Sequence, residues 1–121
     1  MIAAIDPTRE QAMNASKRYL DLKGYEVKGT WENDGLSGLV AADEDGLAFV
    51  QVRCQNAEST EQETPEAMRH KFERAAIDWL ANREEDYDAD FPVRFDVISL
   101  FLVNRERALL RHHINAWGSC V

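Results

Sequence analysis

The sequence predicts an α/β fold in which a mixed β-sheet is flanked by helices, with the element order αβββαββ. Two sites, Asp6-Pro7 and Thr64-Pro65, carry a capping residue followed by proline, the combination that begins many helices. Short apolar segments, separated by turns rich in Asp, Asn and Gly, indicate the strands. Because 121 residues can bury one core of ordinary size, we expect a single domain over residues 1–121.

The first helix is predicted from Pro7 to about Lys23. Apolar residues recur at helical spacing along it and predict one buried stripe: Ala12, Ala15, Tyr19 and Leu22, with Leu20 beside them. Gly24 is predicted to end the helix, because glycine adopts the left-handed conformation of a C-terminal cap at little cost.

Three short strands are predicted next, over Tyr25–Trp31, Leu36–Ala42 and Leu47–Cys54. In the first strand, four residues alternate with polar ones and are therefore expected on one face: Tyr25, Val27, Gly29 and Trp31. The second strand is mostly apolar, as expected when both faces of a strand are covered.

The second helix is predicted to begin at Thr64-Pro65-Glu66. Its apolar face is more typical of a core than of a cofactor site, and consists of Met68, Phe72, Ala75, Ala76, Trp79 and Leu80. Two further strands are predicted over Phe91–Val103 and Arg107–Ile114. The polar segments Gln55–Glu63 and Glu84–Asp90 are predicted to be surface loops. The three tryptophans, Trp31, Trp79 and Trp117, are expected to be core or interface anchors and not a platform for stacking bases.

Composition limits the classes of function. The chain has 22 acidic and 14 basic residues, so its net charge of -8 disfavours nucleic acid as a partner, although a local basic patch would still bind phosphates. No apolar run approaches the roughly 20 residues of a membrane span, and the N-terminus lacks the basic region of a signal peptide. Cys54 and Cys120 make neither a zinc site nor a disulfide framework. These observations favour a cytoplasmic protein with reduced thiols and no membrane contact.

Several segments in order resemble one protein family. They are Arg18-Tyr19-Leu20 with Gly24-Tyr25, Ala48–Arg53, Lys71 with Ala75-Ala76 and Trp79-Leu80, Arg94–Ile98, and Ile114–Trp117. Together they resemble the YraN-like bacterial proteins, presumed nucleases, over roughly Asn14 to Trp117. The resemblance implies a restriction-endonuclease-like sheet of the PD-(D/E)xK type.

The resemblance also implies where the catalytic residues would lie. Family members carry Gly-Glu-Ile-Asp-Leu-Ile on the second strand, which corresponds here to Gly35–Val40, so the metal-binding Asp falls on Gly38. The Glu of the third strand falls on Gln51, and the basic position is Arg53. The Glu of the first helix falls near Met13 or Asn14. Since Mg²⁺ is held by carboxylate oxygens, we expect a vestigial site at Gly38, Gln51 and Arg53, with no catalytic residue, metal or cofactor.

Other polar residues have two interpretations each. Gln51 and Arg53 share a strand face, where they would either bind a phosphate or carboxylate or simply pack at the sheet end. Arg94 and Asp96 would form a structural ion pair or a residual polar site near Gln51. Lys71 would approach a ligand or extend along the rim of the second helix.

The adjacent histidines His112 and His113 lie on the last predicted strand and should point to opposite faces. They therefore would not chelate one metal ion together, and each is expected to be a single surface group.

Three hypotheses of function follow. The first is an inactive nuclease-fold protein acting as an interaction or regulatory module for a protein partner, with a homodimer through an edge strand or Trp117 as a further expectation. The second is a Mg²⁺- or Mn²⁺-dependent DNA endonuclease whose ligands come from Asp96, Gln51 or a partner subunit. The third is a nucleic-acid binder without cleavage, which requires Arg53, Lys71 and Arg94 to cluster on one surface.

Overall fold

A computed structural model of the protein describes residues 9–33, 35–55, 65–82, 92–104 and 107–116. The elements follow the predicted order: α1 Arg9–Leu22, β1 Glu26–Asn33, β2 Leu36–Ala42, β3 Leu47–Gln55, α2 Pro65–Ala81, β4 Val93–Asn104 and β5 Arg107–His113. The predicted bounds of β2 are confirmed, and the other predicted bounds that fall on described residues agree within two residues. Within these ranges no helix is long and apolar enough to cross a membrane.

Some predictions concern residues outside those ranges. The helix start at Asp6-Pro7, the acidic segment Glu84–Asp90, Trp117 and Cys120 all lie there. Of the predicted loop Gln55–Glu63, residues 56–63 also lie there, and Gln55 is the last residue of β3 instead. Cys54, the other cysteine, is exposed near the end of β3.

The end of α1 follows the predicted glycine cap. Gly24 has a φ of 95°, and the Tyr25 and Gly24 amides donate to the carbonyls of Leu20 and Asp21 at 3.0 and 3.1 Å. These two bonds form the Schellman arrangement, which satisfies carbonyls that the last helical turn leaves without partners. The cap thereby turns the chain directly into β1.

The five strands form one mixed sheet in the order β1-β2-β3-β4-β5. β1, β2 and β3 are antiparallel neighbours, β3 and β4 are parallel, and β5 returns antiparallel to β4. The parallel pair requires a crossover connection, and α2 lies in it. Consequently β1 and β5 are the edge strands.

Two apolar clusters cover the two faces of the sheet. The face toward α2, called the α2 face, carries Trp31, Val40, Leu47, Phe49, Phe72, Ala75, Ala76, Trp79, Phe95 and Val97. The opposite α1 face carries Ala12, Leu20, Leu39, Ala41, Ala48, Val50, Ile98 and Leu100. The burial predicted for Trp31 and Trp79 is confirmed at 5% and 7% exposure.

Two predicted faces are wrong. Leu22 is 85% exposed, because the buried positions of α1 are Ala12, Ser16 and Leu20, one turn apart, and Leu22 points away from them. Trp31 lies on the α2 face, whereas Tyr25 and Val27 pack on the α1 face. A register shift between Val27 and Gly29 is the cause, since a bulge inserts one residue and reverses the alternation beyond it.

Candidate functional site

The positions of the predicted vestigial site lie side by side. Gly38 on β2 lies directly opposite Trp31 on β1 and Gln51 on β3. The three residues therefore form a row across the α2 face, which we call the Gly38 row. Directly opposed residues of antiparallel strands project on the same side of a sheet. Arg53 follows two residues after Gln51 on the same face. The structure therefore brings together all three predicted positions.

Gly38 has no space for a side chain. A Cβ atom built there would lie 1.7 Å from the backbone carbonyl oxygen of Val50 and 2.9 Å from Nε1 of Trp31. The first distance involves backbone that is paired within the sheet, so a side-chain rotation cannot relieve it. An aspartate at this position would require the two strands to move apart.

The Gly38 row contains polar atoms without partners. Gln51 is 4% exposed, and neither its Oε1 nor the buried Trp31 Nε1 has a hydrogen-bond partner among the residues described. A buried polar atom left unsatisfied costs about 1–3 kcal/mol. The row thus retains one neutral donor and one neutral acceptor but carries no negative charge.

The donor set of the Gly38 row does not fit a divalent cation. Gly38 offers no ligand atom, Gln51 offers one neutral oxygen, and Arg53 brings a positive charge two residues away. Mg²⁺ is normally bound through one or two carboxylates. Across the described ranges, no group of three or more His, Cys, Asp or Glu residues is arranged to hold a metal ion.

A second polar site, the Asp96 cluster, lies on the other face. Asp96 is fully buried on β4, and Arg94 Nε donates to its Oδ1 at 3.0 Å while Arg94 Nη2 donates to Oδ2 at 3.1 Å. His112 Nε2 lies 2.9 Å from Oδ2, and the Asn115 amide donates to Oδ1 at 2.8 Å. Asn115 has a φ of 55°, a left-handed conformation that asparagine tolerates. Both carboxylate oxygens are therefore saturated with donors.

Further hydrogen bonds extend the Asp96 cluster to neighbouring elements. The Tyr19 hydroxyl on α1 lies 3.0 Å from His112 Nδ1, and Arg94 Nη2 donates to the Tyr25 hydroxyl. In the neutral tautomer of His112 that donates from Nε2 to Asp96, Nδ1 accepts the proton of the Tyr19 hydroxyl.

The Arg94 guanidinium also reaches Asp43 in the turn after β2, at 3.6 Å. The cluster therefore ties α1, three turns and the strands β4 and β5 together.

The electrostatics agree with a charged Asp96. Burial alone would raise the pKa of Asp96, but hydrogen bonds from His112, Arg94 and Asn115 outweigh it and hold the pKa below its usual value. Burial raises the pKa of Tyr19, and the nearby Tyr25 and Asp96 add to the effect. Burial would lower the pKa of Arg94, but its bonds to Asp96 and the proximity of that carboxylate raise it. Tyr19 is thus held protonated and Asp96 ionised at neutral pH.

The predicted ion pair of Arg94 and Asp96 is present, but it is not part of a site around Gln51. Asp96 is the Cα partner of Val50, which packs on the α1 face, whereas Gln51 faces α2. The alternation of residues along a strand therefore places the carboxylate and the Gln51 amide on opposite sides of the sheet.

The prediction for His112 is wrong, because its side chain is only 4% exposed and not on the surface. His112 pairs with Ile98 on the α1 face, while His113 pairs with Val97 and is exposed, so the prediction that the two histidines point apart is confirmed. The burial of His112 could have been inferred from its position two residues after Leu110 on the same strand. Residues two apart on a strand point to the same face, and Leu110 is an apolar residue that packs on the α1 face.

The three candidate cations do not form one surface. Arg94 lies on the α1 face, bound to Asp96 and Asp43, whereas Arg53 lies on the α2 face. Lys71 lies on α2, where its carbonyl accepts a hydrogen bond from Asn33 Nδ2 at 3.1 Å. The Lys71 side chain lines an open groove with Asn33, His70, Glu73, Arg74 and Ile77.

Comparisons with known proteins assign no family. No model of a known protein family matches this chain, and no curated protein matches it either. The resemblance to the YraN-like proteins therefore remains a prediction from the motifs, beside an observed α/β fold with a five-stranded mixed sheet between two helices.

Proposed function

We propose that this chain is a non-catalytic protein with a restriction-endonuclease-like scaffold, which acts by binding a protein partner. The element order αβββαββ and the parallel pair β3–β4 support the scaffold. The pairing of Gly38 with Gln51 further supports it, since these positions correspond to the metal-binding residues of the YraN-like family.

The close contact at Gly38 carries the proposal. A residue with any side chain at position 38 would collide with the Val50 carbonyl, and the Trp31 indole lies over the same space. The backbone here is adapted to glycine, so a single substitution to aspartate would not restore a metal ligand. This supports a role that uses the scaffold without phosphodiester chemistry.

The rewired nuclease receives less support. Its ligands would include Asp96, but the Asp96 oxygens accept hydrogen bonds from Arg94, His112 and Asn115 on the face opposite Gln51. A metal ion would have to displace these donors from a fully buried carboxylate. Loss of such buried, charge-assisted bonds is costly.

A nucleic-acid role also receives less support than a protein partner. Arg94, one of the three cations that such a role requires, is occupied by two carboxylates on the other face. The net charge of -8 adds long-range repulsion of a polyanion. Exposed apolar residues at the β5 edge, Leu109 and Ile114, suit a protein surface better.

A cleavage assay tests the proposal. Purified protein is incubated with branched and single-stranded DNA in Mg²⁺ and in Mn²⁺, beside a Gln51→Ala variant shown to be folded by circular dichroism. We expect no cleavage by either protein. Metal-dependent cleavage by the wild type that Gln51→Ala abolishes would overturn the proposal and restore a nuclease.

A further inference from the structure

In the described part of the chain, the apolar cluster beneath α2 does not extend across the whole α2 face. The cluster beneath α2 includes Phe95 and Val97 from the first half of β4 but no residue from β5. Farther along the sheet lie the side chains of one cationic and apolar surface, which we call the β5 patch: Arg53, Ser99, Leu109, Arg111, His113 and Ile114.

Strand pairing places the patch residues on β3, β4 and β5 next to one another, and Ile114, which follows β5, lines the same groove as Arg53. Ser99 is the Cα partner of both Arg53 on β3 and Arg111 on β5, so these three residues form a row on one face. Leu109 and His113 follow on either side of Arg111 with the same parity. An open groove of about 600 Å³ lies here, lined in part by Arg53, Ser99 and His113.

The charges of the β5 patch differ from those of the chain as a whole. The sequence has 22 acidic and 14 basic residues, yet Arg53 and Arg111 form no ion pair with any carboxylate in the described part of the chain. The Arg111 guanidinium lies 5.5 Å from the centre of the Phe101 ring, which holds it over the sheet. Two arginines therefore lie on either side of Ser99, and neither has a carboxylate partner among the described residues.

Apolar side chains flank these arginines. Leu109 is 48% exposed and Ile114 is 58% exposed, on either side of the cationic row along β5. Arginines next to exposed aliphatic residues are typical of surfaces that bind a partner, since arginine forms bidentate bonds to carboxylates and its neighbours bury apolar area.

We propose that the β5 patch binds an acidic segment of a partner protein, an inference that rests on the proposed function. Carboxylates of the segment pair with Arg53 and Arg111, whose Cα atoms lie two strand spacings, or about 10 Å, apart. An apolar side chain of the segment packs against Leu109 or Ile114. A short peptide carries few charges, so the net charge of the chain repels it less than it repels a nucleic acid.

A peptide titration tests the proposal. The probe is a fluorescein-labelled peptide built from Glu-Glu-Leu repeats, followed by anisotropy at low and at physiological salt. We expect salt-sensitive binding that R53E/R111E weakens at least about tenfold, because close charge pairs across an interface contribute strongly to binding. The control K17E/R18E changes the charge equally on exposed positions of α1 and should leave binding within about twofold of the wild type.

Four results would overturn the proposal, and three of them concern the peptides: no binding of the acidic peptide, equal weakening in K17E/R18E, or equal binding of a peptide with Gln in place of Glu. A single-stranded oligonucleotide that binds more tightly than the peptide through the same arginines would also overturn it. Thermal unfolding of both variants verifies that they fold. The titration does not depend on cleavage, so a nuclease found in the cleavage assay would overturn the proposed function and leave the peptide result to be judged separately.

Discussion

The two polar sites of this protein lie back to back on one sheet and differ in almost every respect. On the α1 face, the Asp96 carboxylate is buried and accepts bonds from Arg94, His112 and a backbone amide. On the α2 face, one step along the register, Gln51 Oε1 and Trp31 Nε1 are buried and have no hydrogen-bond partner among the described residues. The charge lies in the Asp96 cluster, away from the positions that the family resemblance assigns to metal binding.

The difference shows what each site contributes. A buried charge is tolerated only when it is fully bonded, and the Asp96 cluster meets that condition by joining elements distant in sequence. This condition does not apply to the Gly38 row, because the row carries no charge. We therefore expect the Asp96 cluster to determine stability, and the Gly38 row to tolerate the loss of its polar atoms.

The largest effect is expected from Asp96→Ala. This substitution removes the buried carboxylate that accepts hydrogen bonds from Arg94 and His112, so both donors lose their partner. It should destabilise the protein by about 3–5 kcal/mol. Urea unfolding followed by circular dichroism measures the change. A loss below about 1 kcal/mol would mean that the cluster does not anchor the fold.

Acid should remove the contribution of Asp96 without any mutation. Because the folded-state pKa of Asp96 is below its usual 3.8, the stabilisation is present above that pH and is lost as the pH falls through the lower, folded-state value. The difference in unfolding free energy between the wild type and Asp96→Asn should therefore shrink below pH 3.8. Asp21→Asn, at an exposed position of α1 outside the Asp96 cluster, serves as the control for replacing a carboxylate by an amide.

Gly38→Ala should rank next. The added Cβ meets the Val50 carbonyl oxygen, so the strands must shift, at a cost of about 1–3 kcal/mol. Gly35→Ala is a contrasting case, since Gly35 has a φ of 84°, where alanine is strained, but open space around it, so any cost there comes from the backbone and not from a close contact. Equal stability of Gly38→Ala and the wild type would remove the main argument against an acidic residue at position 38.

Tyr19→Phe should have a smaller effect. It removes the hydroxyl that bonds His112 Nδ1 and should cost about 1 kcal/mol, the usual net value of one hydrogen bond. The free energy of unfolding in urea measures it. A cost several times larger would indicate that Tyr19 is coupled to the whole Asp96 cluster.

The smallest effect is expected from Gln51→Met. This change keeps the volume of the side chain but removes an unpartnered buried oxygen, so the unfolding free energy should stay within about 1 kcal/mol of the wild type or increase. A large destabilisation would show that the Gln51 amide has a hydrogen-bond partner in the folded protein.

The sequence predicts the elements of this fold well because their signals are local. The Asp, Asn and Gly turns bound β2, Gly24 ends α1, and the periodicity of α2 identifies Phe72, Ala75 and Trp79 as core residues. Simple alternation places Trp31 on the wrong face of the sheet. The bulge between Val27 and Gly29 shifts the register by one residue, and the pattern of apolar residues does not reveal it.

The sites are only partly predictable, because they depend on contacts between distant residues. Arg94 and Asp96 are two positions apart on one strand, so the sequence alone predicts that they share a face and can pair. Tyr19 and His112, which are also in contact, are 93 positions apart. The steric limit at Gly38 arises from the neighbouring strand β3 and from the Trp31 indole. Neither the Tyr19–His112 contact nor the crowding at Gly38 can be recognised from the sequence, because each depends on how different elements pack together.

Titration calorimetry of Mn²⁺ into the wild type, Gln51→Ala and Gln51→Glu tests the central claim most directly. We predict no micromolar binding by any of the three, because Gly38 supplies no ligand and its backbone leaves no room for one. Micromolar binding by the wild type that Gln51→Ala removes would contradict the account and show that a metal centre assembles at the Gly38 row.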